Sequence, residues 1–192
     1  GPITAEELGE FEGALAEAAA VATGVLLIGS LPHGAPKNYF RQLLTHVRCP
    51  VILDIRGPEL LAALEDRPTV IKPNREEIEQ TLGALIRTDE HMRDAVAELQ
   101  RRGARGVVAT SGAGDVWVAV GPEIHCISPP SIAAVVNPIG CGDCVAAGIA
   151  WGLANGGDLI AAVDIGLQTA AKNLQTLLPS DFDGRREQLA RR

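Results

Sequence analysis

The stretch Asn137-Pro138-Ile139-Gly140-Cys141-Gly142-Asp143 places two glycines one residue apart, immediately before an apolar helical run. Without side chains in the way, backbone N–H groups can turn inward, and at a helix N-terminus the dipole favours negative charge. The stretch therefore has the makings of an anion hole that holds a phosphate. Asp143 stands at its mouth, where a carboxylate can accept the proton of a hydroxyl attacking a bound phosphoryl group. A plainer reading is available, because Asp is a favoured helix cap and glycine is common in turns. Asn74 and Glu77 pose the same choice: their spacing is that of a capping box with Asn as cap, which is physically complete by itself.

Elements that can present these residues follow from hydrophobic periodicity. Thr4-Ala5-Glu6-Glu7 reads as a capping box, and Leu8, Phe11, Leu15, Ala18 and Ala22 then recur at helical spacing, predicting one buried face. Val25-Leu26-Leu27-Ile28, wholly apolar between Gly24 and Gly29, predicts a strand buried on both sides of a parallel sheet. A loop over 29–34 follows, and Pro36 is placed to open a helix whose apolar face is Tyr39, Phe40, Leu43, Leu44 and Val47. Strands are predicted over 51–55 and 69–72, with a short helical piece near Leu60, Leu61 and Leu64 between them. Asp54 ends one strand, where it can face a cleft or cap a turn at Gly57-Pro58. Helices carrying Ile78, Leu82 and Leu85, and then Met92, Ala95, Val96 and Leu99, precede a strand over 106–110. Segments 116–120 and 123–127, joined at Gly121-Pro122, predict an antiparallel edge. Helices with Val145, Ala146, Ile149, Ala150 and Leu153, and then over 159–178, close the pattern, and the charged tail from Arg185 is expected to fray. Alternating strands and helices imply an α/β layered fold with a mostly parallel sheet, whose ligands bind beyond the carboxyl ends of the strands.

At 192 residues with 46% hydrophobic content, the chain suffices for one domain with a substantial core. Its net charge of −7 argues against a nucleic-acid or anionic-membrane surface and points to small metabolites. Cys49, Cys126, Cys141 and Cys144 form no regular framework, so a reducing cytoplasm without disulfides is expected. Glycines and prolines interrupt the long uncharged stretch 18–36, which argues against a spanning helix. Cys141-Gly142-Asp143-Cys144 is formally a Cys-x-x-Cys at a helix N-terminus, so redox or metal chemistry stands beside small-residue packing as a reading. The four histidines make no ligand pattern; His33, in the 29–34 loop, reads by default as solvated.

Gly140-Cys141-Gly142-Asp143 resembles the Gly-x-Gly-Asp signature that ribokinase/PfkB carbohydrate kinases carry near their C-termini. It is joined, in the family's order, by Gly1-Pro2-Ile3-Thr4-Ala5-Glu6-Glu7-Leu8, Gly29-Ser30-Leu31-Pro32-His33-Gly34 and Lys72-Pro73-Asn74-Arg75-Glu76-Glu77. Lys-Pro-Asn with its acidic pair, and Asn-Pro before the glycines, are most similar to the branch with 1-phosphofructokinase and tagatose-6-phosphate kinase. The resemblance implies a three-layer α/β/α ribokinase-like fold, transfer of phosphate from ATP to a sugar or sugar phosphate, and Asp143 as general base. It implies the amides of Gly140, Cys141 and Gly142 as donors to the transferring group, and Asn74 and Glu77 as the element that orders Mg2+, an ion suited by hard oxygens. By the same resemblance Thr110 and Gly112 approach the nucleotide phosphates, Lys72 supplies a phosphate-facing charge, and Asn173 borders the adenine pocket.

Two departures from the family pattern bear on function. Gly114-Asp115 stands where the family has an ordinary residue followed by glycine, which puts a carboxylate near the presumed phosphates. The chain also begins after the family's N-terminal strands, lid and most sugar-recognising residues, with Gly1-Pro2 fitting the family as a native beginning or a cut beside one. The expectation is therefore the C-terminal nucleotide-binding and catalytic portion, 1–192, of a single ribokinase-like domain, with the sugar site largely missing. Two alternatives accompany it: a non-catalytic nucleotide-sensing or assembly module, and a kinase of a free sugar, nucleoside or pyrimidine. An open sheet edge would promote self-association, making a homodimer an expected assembly.

Overall fold

Thr4 opens α1 (Ala5–Val21) with the expected reciprocal cap: its side chain accepts from the Glu7 amide while the Glu7 carboxylate accepts from Thr4 N–H. The computed structural model describes residues 1–182, in two units, Gly1–Ile127 and a second from Ser128 onward; the tail from Arg185 lies outside the described residues. The remaining elements of the first unit are β1 (Val25–Ile28), α2 (Tyr39–Leu44), β2 (Val51–Asp54), α3 (Gly57–Leu64), β3 (Val70–Ile71), α4 (Arg75–Leu82), α5 (Asp89–Arg101), β4 (Gly106–Ala109), β5 (Val116–Val120) and β6 (Glu123–Ile127). The strands form one six-stranded sheet in sequential order, parallel from β1 to β4 and antiparallel from β4 to β6. The mixed, mostly parallel α/β architecture is the one expected from the sequence.

Alternation along the strands sorts their side chains. Leu53, Ile71, Val107 and Ala119 join Leu60, Leu64, Ile78, Val96 and Leu99 in one apolar cluster with α3, α4 and α5. Each fully buried Leu or Ile there contributes about 1.5–3 kcal/mol relative to exposure. Ile52, Val70, Val108 and Val118, one residue out of phase, are buried on the opposite face.

Several expectations are corrected. β1 is not buried on both sides: it is an edge strand, Val25 and Leu26 are half-buried, and Ile28 is exposed. Among the five face positions expected on α1, Phe11 and Ala18 are exposed, because α1 lies at the periphery and buries only Ala19 fully. Pro36 does not open α2; its carbonyl accepts from Tyr39 N–H at 2.9 Å in a preceding turn, and Val47 falls beyond the short helix. Gly57-Pro58 is the first turn of α3, where proline at N1 or N2 needs no amide partner. Leu85 lies outside α4, which stops at Gly83 with φ 69°, a left-handed conformation suited to glycine.

The second unit contains α6 (Cys141–Ala154) and α7 (Leu159–Asn173), packed together through small residues. A Cβ on Gly148 would lie 2.5 Å from Gly166 Cα, and one on Gly166 would lie 2.6 Å from the Val145 carbonyl oxygen. Gly166→Ala is therefore expected to lower stability by about 1–3 kcal/mol through overpacking, despite the better helix propensity of alanine. Urea unfolding checks this: the midpoint should fall with an unchanged slope. α7 ends at Asn173, five residues before the expected 178, because the Leu174 carbonyl is taken by the amides of Val136 (2.7 Å) and Asn137 (3.2 Å). Among the described residues no helix is long and apolar enough to cross a membrane.

Candidate active site

Lys72, Asn74, Glu77, Thr110 and Gly112 lie together at the carboxyl ends of β3 and β4, within the first unit. Asn74 and Thr110 form a parallel bridge: Arg75 N–H donates to the Thr110 carbonyl at 2.8 Å, and Thr110 N–H to the Pro73 carbonyl at 3.2 Å. Asn74 caps α4 by accepting from Glu77 N–H at 2.9 Å, and Glu77 Oε2 returns the bond to Asn74 N–H at 2.8 Å. The structural half of the Asn74–Glu77 pair is thus present in full. Glu77 Oε1 lies 3.6 Å from the Arg56 guanidinium. The oxygens of this pair are of the hard kind that magnesium takes, but Asn74 Oδ1 and Glu77 Oε2 are both engaged in the cap.

Lys72 is 3% exposed, and its Nζ lies 2.9 Å from Asp54 Oδ2. The register continues from Leu53↔Ile71, so the two side chains leave adjacent strands side by side on one face. The sequence offered Asp54 as a cleft or cap residue, and its partnership with Lys72 had no local signal. Gly112, with φ 55°, turns the loop after Thr110, and Gly114 N–H closes that turn on the Ser111 carbonyl at 2.8 Å. Asp115 sits against the Cys126 thiol, which is held above its usual pKa by desolvation first and then by this carboxylate. His33 is exposed, as expected of a loop residue.

In the second unit Gly140 is the N-cap of α6, with φ 80° and ψ 3°. Asp143 is not the cap: it is the third helical residue, exposed, and its side chain makes no hydrogen bond or ion pair among the described residues. The capping alternative is thereby replaced by an exposed first-turn carboxylate. Cys141 N–H bonds the Pro138 carbonyl at 3.3 Å, and Cys144 N–H begins the helical ladder on the Gly140 carbonyl at 2.9 Å. The Gly140, Gly142 and Asp143 amides, which have no carbonyl partner among the described residues, are the donors this geometry leaves open.

The turn is tied down by two asparagines. Asn137 Oδ1 accepts from Ile139 N–H at 2.9 Å, and its Nδ2 donates to the Leu177 carbonyl at 2.8 Å. Asn173, fully buried at the end of α7, donates to the Ile139 carbonyl at 2.8 Å and accepts from Ser180 N–H at 2.7 Å. Neither clamp was readable from spacing, since they join the turn to residues 40 and 34 positions away. The Cys-x-x-Cys loses its redox argument at Cys144: burial pushes that thiol up, against the opposing hydrogen bond of Ser180, so the thiolate is disfavoured. Among the described residues no group of three or more His, Cys, Asp or Glu is arranged to hold a metal.

A mostly parallel sheet with crossover helices, and a glycine-capped helix bearing a first-turn carboxylate, define an α/β protein of the ribokinase-like fold. The sequence profile of the pfkB family of carbohydrate kinases matches residues 2–181, and the chain belongs to that family. Among solved structures it is similar to Escherichia coli phosphofructokinase-2 in complex with fructose-6-phosphate, with 23% identity and a TM-score of 0.79 over 99% of this chain and 62% of that one. A possible 1-phosphofructokinase from Thermotoga maritima superposes with a TM-score of 0.82 at 16% identity, covering 99% of this chain and 62% of the other. Arabidopsis thaliana ribokinase complexed with ribose and ATP gives a TM-score of 0.72 at 22% identity, over 93% and 55% respectively. The chain thus spans about three fifths of the length of the structures it matches.

Proposed function

We propose that this chain carries the nucleotide-binding and catalytic portion of a kinase that transfers the γ-phosphoryl group of ATP to a hydroxyl of a sugar or sugar phosphate. The observation that carries the reading is the left-handed Gly140 cap with Asp143 exposed and unengaged in the first turn of α6. Open amides at that helix start hold the phosphoryl oxygens and stabilise the charge that spreads over them as the bond to the leaving oxygen lengthens. Asp143 accepts the proton of the attacking hydroxyl, which raises its nucleophilicity in line with the transferring group. Asn74 and Glu77 would hold Mg2+ through its waters, and that ion would supply neutralisation of the nucleotide oxygens. Thr110 and Gly112 shape the loop that approaches those oxygens, while Lys72, buried and paired with Asp54 at 2.9 Å, braces the adjoining strand end. Family membership, and a fold shared with a ribokinase complexed with ribose and ATP, support ATP as donor.

The Lys-Pro-Asn segment and the Asn-Pro before the glycines favour a 1-phosphofructokinase-like or tagatose-6-phosphate kinase-like acceptor. Four free cysteines fit a reducing, cytoplasmic setting. The test is an ATP-consumption assay on the full-length protein with magnesium and a panel of fructose 1-phosphate, fructose 6-phosphate, tagatose 6-phosphate, ribose and a nucleoside. A sugar phosphate is expected to give the highest kcat/KM. Highest turnover with ribose or the nucleoside would move the assignment to the free-acceptor kinases, and no turnover with any acceptor would sink it in favour of a sensing module. The Ile28 edge of β1, exposed in this chain, favours self-association as a property of such a module, and light scattering of this 192-residue chain reads it.

A further inference from the structure

We propose that Asn173 is the positioning residue of the phosphate-holding turn, setting the direction of the Gly140 amide through the Ile139 carbonyl; this rests on the reading of that turn given above. Asn173 has 0% of its surface exposed, so it acts on a ligand only through what it holds. Its Nδ2 donates to the Ile139 carbonyl at 2.8 Å and to Cys141 Sγ at 3.3 Å, while its Oδ1 accepts from Ser180 N–H at 2.7 Å. The orientation of the carboxamide is forced, because a carbonyl only accepts and a backbone amide only donates.

The consequence follows from peptide planarity. The Ile139 carbonyl and the Gly140 N–H belong to one trans peptide unit and point in opposite directions. By drawing the carbonyl towards the end of α7, Asn173 aims the Gly140 N–H away from the protein interior. The preceding peptide is fixed as well, since Ile139 N–H is held by Asn137 Oδ1 at 2.9 Å. Gly140 can accept the resulting φ of 80° because it lacks a side chain; a Cβ there would also lie 3.3 Å from Pro179 Cβ. Ser180, itself at φ 60°, completes the brace by donating to Asn173. A single buried carboxamide therefore joins the anion-facing peptide, the first helical residue of α6 and the segment after α7.

Asn173→Asp tests this directly, because it keeps the acceptor for Ser180 and replaces the donor facing the Ile139 carbonyl. When ionised, the introduced carboxyl repels that carbonyl; when protonated, it can donate to it again. In the full-length protein, with the best acceptor of the panel, kcat at pH 8 is expected to fall about ten- to a hundredfold, while the acceptor KM changes less than about twofold. The ratio of variant to parent kcat should recover as pH is lowered, the parent's own titration cancelling in the ratio. An unchanged kcat, or a ratio independent of pH, would overturn the proposal. Should Asn173→Asp fail to fold, Asn173→Ala, assayed well below its own unfolding midpoint, must show the same kcat loss with unchanged acceptor KM. Asp143→Asn separates the underlying reading from the positioning role: if it leaves turnover intact, the turn is not the reaction centre. The Gly140 amide resonance then decides the positioning claim, since it must shift with pH in Asn173→Asp and not in the parent; a resonance that does not move refutes it.

Discussion

Asp143→Asn is expected to lower kcat by about 10²–10⁴-fold in the full-length protein, the range a positioned general base contributes, with the KM for magnesium ATP changed by less than about threefold. The separation of the two parameters follows from where the side chain stands. Asp143 is exposed in the first turn of α6 and makes no hydrogen bond or ion pair among the described residues, so its amide analogue leaves the fold's own bonds intact. The structural cost is confined to a first-turn charge in the helix dipole, about 0.3–1 kcal/mol. Steady-state kinetics beside a denaturation curve make the comparison. Near-parental kcat, or a kcat loss no larger than the loss of folded protein explains, would remove Asp143 as the base.

The second large effect concerns stability. Lys72→Met is expected to destabilise the protein by about 3–5 kcal/mol, because it removes the cation 2.9 Å from Asp54 and leaves a carboxylate whose side chain is only 11% exposed. Combining it with Asp54→Asn removes the charge as well, and about half of the loss or more should return. Urea unfolding of both single variants and the double variant reads the coupling as a cycle. Additive losses would mean that the pair does not act as a unit. Because Lys72 is buried and engaged, the same residue gives a second readout: a several-fold rise in the KM for magnesium ATP beyond the stability effect would mark a nucleotide role transmitted from the strand end.

Much of the fold was legible in local pattern. The two capping boxes, at Thr4 and Asn74, lie within four residues each, and both form as their spacing requires. β2 and β4 were readable as buried strands because their apolar runs are covered on both faces, giving the residue pattern of a central parallel strand. β1 has the same composition and a different fate, since position in the sheet order, and not composition, decides whether a strand is an edge. α2 and α7 were overextended for a related reason. Apolar spacing continues through Val47 and Leu178, but the carbonyls that would extend α7 are claimed by residues 136, 137 and 176.

At the site the same division holds. The order of glycines and carboxylate in Gly140-Cys141-Gly142-Asp143 determined by itself that a helix would start there with open amides and an acidic first turn, because those are properties of consecutive residues. Membership of the pfkB family was equally present in the order of such local motifs. Only tertiary structure decided that the Asp143 carboxylate is left unengaged, that Lys72 is matched to Asp54, and that Asn173 grips the peptide before Gly140. Each of these depends on which distant segments share a strand end or a helix terminus, and a buried polar group must take its partner from whatever the fold brings within about 3 Å.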